Sequence, residues 1–133
     1  ASLSDQTFIG CEHRHGIYGL VAPGALMVFL MRLSAVDDVF EEGNLHLMRL
    51  VPLAWVRSDY ETKFEDMPTE YGPVSLKFRL SEDGEALMVD WQPKFRTQPD
   101  SVILHVPPVD GLKKVIINGM SHRISPGEII KVK

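Results

Sequence analysis

Apolar positions along this chain follow two rhythms, and the change falls near Gly43. Before it, Ala25 to Met31 is unbroken apolar sequence, with Pro23-Gly24 ahead of it and Arg32 behind. Proline suits the first turn of a helix, where its missing amide hydrogen has no partner to lose, so the pattern predicts a helix from about 24 to 40. Its second half reads as amphipathic, with Leu33, Val36 and Phe40 near one face and Asp37, Asp38, Glu41 and Glu42 on another. Gly43-Asn44 is the expected stop. The first half has no polar side, and a helix apolar all round belongs inside something larger.

Beyond Gly43 the period shortens. NLHL reads as helix or strand, with Pro52 closing either. In VSLKFRL, Val74, Leu76, Phe78 and Leu80 alternate with Ser75, Lys77 and Arg79; ALMVDW repeats the alternation after the turn Ser81-Glu82-Asp83-Gly84. The two predict an antiparallel hairpin. SVILHV, closed by Pro107-Pro108, is a further strand. KVIINGMSHRI carries Asn118-Gly119 between apolar runs, the strongest short hairpin signal in the chain. EIIKV completes about seven short strands between 44 and 132. The expected fold is mainly β: a small antiparallel β-sandwich preceded by one apolar helix. The expected division is 1–43, loop and helix, and 44–133, the β-domain.

Composition narrows this only a little. A chain of 133 residues falls within one-domain size, and 44% hydrophobic with 24% charged residues is ordinary for a globular protein. Fourteen basic against eighteen acidic residues, net charge −4, argues against a nucleic-acid binder, whose basic residues would gather on one face. Sixteen uncharged residues, Gly16 to Met31, fall short of the ~20 a bilayer crossing needs, and Pro23-Gly24 splits them, so no membrane partner is expected. A single cysteine, Cys11, excludes an internal disulfide.

The densest polar constellation is CEHRHG, residues 11–16. Glu12, His13 and His15 are metal-ligand types, yet adjacent residues in one loop seldom converge on an ion and no second pair sits at zinc-site spacing. Cys11 has histidines at hand but no third orienting group to make it a nucleophile. His46, His105 and His122 stand apart within strands and read as structural or solvent-facing. Acidic pairs such as Asp37-Asp38 and Glu41-Glu42 fall at helix ends or turns, where charge is solvated, so none is marked as the acid of a sugar hydrolase. No nucleophile elbow or phosphate-cradling glycine loop occurs. Trp91 follows the inward alternation of its strand; Trp55, Tyr60 and Tyr71 lie in loops and suit either packing or stacking on sugar rings. No catalytic residue, metal or cofactor is expected.

One ordering stands out: a helix without a wet side, then HLMRLVPLAWV, then MPTEYGPVSLKFRLSEDGEALMVDW, then SVILHVPP and VIING. It resembles the C-terminal end of bacterial glycoside hydrolases built on an (α/α)6 toroid, in which the last barrel helix leads through a leucine-rich segment and Pro-x-x-Trp, here Pro52 to Trp55, into a small β-domain. The resemblance implies a non-catalytic accessory domain whose partner is an upstream catalytic helical domain of the same polypeptide. It implies a periplasmic or secreted setting, and a loop in which Glu12, His13, Arg14 and His15 border a carbohydrate cleft. Left alone, the apolar helix is expected to dimerise through 24–40 or fold down over the sheets. Two other readings stand beside this one: an independent glycan-binding β-sandwich using Trp55, Tyr60 and Tyr71, and a small metal-dependent β-barrel enzyme using Glu12, His13 and His15.

Overall fold

A computed structural model describes residues 15–125 and 127–133, with side chains from Gly24 onward. The chain divides into two compact units, residues 1–32 and 33–133. Helix α1 spans His15–Ala35. Leu26 to Met31 are each 42–68% exposed, an apolar run that turns several sides to solvent. The helix therefore starts earlier than expected and carries Pro23 in its interior. It also stops earlier, at Ala35 rather than near 40.

The early stop has a local cause. Val36–Asp37 is strand β1, antiparallel to β2 (Asn44–Leu47), with Val36 opposite Leu47 and Asp37 opposite His46. The Asp37 carboxylate accepts the Val39 and Phe40 amides at 2.9 and 3.0 Å, a side-chain turn that competes with helical hydrogen bonding. Sheet pairing plus that turn outweigh the amphipathic pattern of 33–40. Asp37 and Asp38, expected to be solvated, are both buried. Asp37 pairs with Arg49 at 3.0 Å, and Asp38 accepts the Glu70 amide at 2.8 Å.

Seven more strands follow: β3 Thr62–Met67, β4 Val74–Leu80, β5 Ala86–Pro93, β6 Ser101–His105, β7 Lys114–Ile117, β8 Met120–Arg123 and β9 Ile129–Lys131. One sheet has the order β1-β2-β6-β9 and the other β3-β4-β5-β7-β8. The chain crosses between them repeatedly, so β2 with β6 and β5 with β7 pair parallel while the remaining pairs are antiparallel. The fold is mainly β, as the alternation requires, but its sheets are mixed rather than purely antiparallel. Residues from both sheets, including Val36, Leu45, Leu104, Leu76, Phe78, Val89 and Val115, form one buried cluster, which makes the arrangement a sandwich.

The predicted hairpins form. β4 and β5 pair over their full length, Val74 opposite Pro93 through Leu80 opposite Leu87. Asn118 and Gly119 take φ of 45° and 85°, both positive as the tight primed turn between β7 and β8 requires. Asn118 then ties that turn to β5, accepting the Trp91 amide at 2.9 Å and donating to its carbonyl at 3.1 Å.

Candidate functional site

Among the described residues, three places concentrate side chains able to do chemistry. The first is the segment between β2 and β3. Residues Leu53–Trp55 make a single 3-10 turn after Pro52, and the chain then runs beside the end of β4, where the Leu80 amide donates to the Arg57 carbonyl at 2.8 Å. Thr62 donates to the Trp55 carbonyl at 2.7 Å and closes the loop. Trp55 is half-buried against Phe64, ring centroids 5.9 Å apart. Tyr60 is 44% exposed, its hydroxyl 3.4 Å from the Ala54 carbonyl and its ring 5.1 Å from the Arg57 guanidinium. Arg57 grips Asp59; the hydrogen bond raises the guanidinium's pKa and lowers the carboxylate's, so both stay charged. An exposed tyrosine face beside an oriented guanidinium is chemistry suited to a sugar ring.

Tyr71 does not join them. It lies past the far end of β3, between Met67 and Val74, and is only 7% exposed. Its hydroxyl is buried without a well-formed hydrogen bond. Burial first, then the carboxylates Glu70, Asp100 and Asp38, push the phenol up to about 12. Tyr71 is a packing residue whose ring faces the core, and the three loop aromatics do not make one platform. Trp91 is buried, as its alternation indicates.

The second place is a shallow concavity of about 230 Å³ on the outer face of the β3-β4-β5 sheet. Lys63, Glu65, Ser75, Lys77, Asp90 and Gln92 present polar groups to it. Their charges are already matched: Lys63 with Glu65 at 2.5 Å, and Lys77 with Asp90 and Glu61 at 3.5 and 3.9 Å.

The third place joins two histidines that lie 59 residues apart in separate strands. Parallel pairing sets His46 opposite Ile103, so His105 lies two residues further along the adjacent strand on the same face. Leu45, Leu47, Val102 and Leu104 point the other way, into the core. His46 Nδ1 is 2.8 Å from His105 Nε2. His122, on exposed β8, is solvent-facing as expected. The signal was there in the matching alternation around each histidine; the missing piece was which strands are neighbours, and a parallel pair separated by a whole sheet leaves no mark in local sequence.

Glu12, His13 and Arg14, and with them Cys11, lie outside the described residues, and His15 opens α1 without a described side chain. Among the described residues no cluster of three or more His, Cys, Asp or Glu is placed to hold a metal ion, and no helix is long and apolar enough to cross a membrane. No family model, curated protein or solved structure matches the chain.

Proposed function

We propose that this chain is a non-catalytic accessory domain of a carbohydrate-active hydrolase: a β-sandwich that serves as structural support, with α1 seated against the helices of a catalytic domain. The observation that carries this reading is the exposure of Leu26 to Met31 on α1. Full burial of a large apolar side chain stabilises by about 1.5–3 kcal/mol, so covering six that are now half-exposed would contribute roughly 5–9 kcal/mol. That is comparable to the stability of a whole domain, and a helix of this kind is a surface made for cover. The resemblance of the chain's ordered segments to the end of a toroid hydrolase supplies the kind of cover: neighbouring barrel helices. The coding sequence upstream of Ala1 tests it. The reading expects several hundred residues of paired helices in frame; a stop codon directly upstream would overturn it.

A second reading, a free-standing glycan-binding module, is favoured by one observation only, the exposed Tyr60 beside Arg57 and Trp55 in a single loop. Affinity electrophoresis in gels cast with soluble polysaccharides separates the two readings. A binding module would be retarded, and Tyr60→Ala would weaken the retardation about fivefold by removing the stacking face, worth about 1 kcal/mol. The accessory-domain reading expects the chain and Tyr60→Ala to migrate alike.

A further inference from the structure

We propose that the His46–His105 pair is an acid-sensitive latch that holds the segment 38–43 against the β1-β2-β6-β9 sheet. The groups around it can be named element by element. β1 supplies Asp37, paired with Arg49 at 3.0 Å and accepting the Val39 and Phe40 amides. The 38–43 segment supplies Glu41, its carboxylate 3.3 Å from His46 Nε2, and Phe40, edge-on to the His46 ring at 5.2 Å. Arg49, just past β2, lies over Phe40 at 3.5 Å. β6 supplies His105, and β9 brings Lys131 opposite Ile103 in the register. His46 itself is only 3% exposed. Phe40 and Val39 are held out at the surface, more than half exposed, so their place depends on these polar contacts more than on burial.

Proton counting gives the latch its direction. Two imidazoles joined nitrogen to nitrogen need one N–H and one lone pair between them. With both rings neutral, the bond forms, but His46 Nε2 has no hydrogen bond, because Glu41 sits close without the right direction. One added proton leaves the pair intact, because a single N–H···N bond still joins the two rings. A second proton, on His105 Nε2, removes the only acceptor and sets two cations 2.8 Å apart. Burial, followed by the charges of His46 and Arg49, holds the His105 pKa below its usual value, with Asp37 opposing. A group depressed in the folded state contributes stability above its unfolded pKa, and that contribution is lost as pH falls toward the folded one. The latch therefore opens on acidification, as pH falls below the ordinary histidine pKa of about 6.5.

Hydrogen exchange of the Val39 and Phe40 amides, corrected for intrinsic rates, reads the latch in the whole chain. Between about pH 7.5 and about pH 5, protection should fall by up to tenfold per pH unit below the unfolded histidine pKa. His105→Gln keeps a side-chain acceptor that does not titrate in this range, and should flatten the dependence, while His122→Gln should leave it intact. Protection that does not change with pH in the unaltered chain, or that falls equally in His105→Gln, would overturn the latch. Imidazole nitrogen spectra of the unaltered chain test it without any substitution. The expected result is a shared N–H proton between the two rings that disappears as His105 titrates; two rings titrating as independent free histidines would contradict it.

Discussion

Tyr71 and His46 are both buried polar side chains, and they differ in what burial has done with their polar atoms. The Tyr71 hydroxyl finds no well-formed hydrogen bond, whereas His46 places one nitrogen on His105 and the other near Glu41. A buried hydroxyl without a well-formed hydrogen bond recovers little of its desolvation cost, so Tyr71→Phe should be neutral or slightly stabilising near pH 7, within about 1 kcal/mol. Its effect should appear in alkali. Burial pushes the folded phenol up to about 12 against about 10 unfolded, so the unfolded chain ionises first and stability falls as pH climbs from about 10 toward 12. Urea unfolding measured across that window should show a shallower loss in Tyr71→Phe than in the unaltered chain. At this scale the sequence indicated residue type but not surroundings. Tyr71 follows Glu70 in a Pro- and Gly-bracketed stretch that reads as an exposed loop, and its burial comes from contacts distant in sequence. The Tyr71 carbonyl accepts the Arg96 and Thr97 amides, and Gly72 packs so closely on Lys94 that an added Cβ would lie 2.5 Å from its carbonyl oxygen.

Among the elements, legibility followed the regularity of the alternation. β4, with seven residues of two-fold pattern, and β5, alternating from Leu87 to Trp91, were visible at once. So was the β7-β8 hairpin, through Asn118-Gly119. β3 was not, because its register shifts between Phe64 and Met67 and Asp66 takes a positive φ of 45°, which breaks the alternation in TKFEDM. β1 is two residues long and sits inside what the helical spacing claimed. Asn118 is the joint on which two elements meet, because its side chain bonds the backbone of β5 while its own backbone makes the turn. Asn118→Ala removes both bonds to Trp91, leaves a partly buried amide unmatched, and places alanine at positive φ. We expect a loss of about 2–3 kcal/mol in the urea midpoint analysis. Asn118→Asp, which keeps the acceptor for the Trp91 amide, should lose less.

For the whole molecule, composition and alternation were enough to give a mainly β sandwich with one leading helix, and not enough to give its wiring. Strands β3 to β5 and then β7-β8 are laid into one sheet while β6 and β9 return to the other. The interleaving brings His46 beside His105 from 59 residues away. Local sequence encodes which face of each strand is buried; the choice of neighbour is made by packing of the shared core. The candidate surfaces divide the same way. The Trp55-to-Tyr60 loop was foreseeable because it is local, and the histidine pair was not because it is made by topology.

Helix α1 carries an apolar run, Leu26 to Met31, whose side chains stand 42–68% exposed. Sedimentation velocity of the isolated chain over a hundredfold concentration range, run beside titration with an apolar fluorescent dye, tests most directly whether that run needs a covering surface. The predicted result is concentration-dependent association or strong dye binding, either of them reduced by the pair Val28→Asp and Phe29→Glu without loss of the sandwich's unfolding transition. A monodisperse monomer that binds no dye, and that the same substitutions leave unchanged, would contradict it.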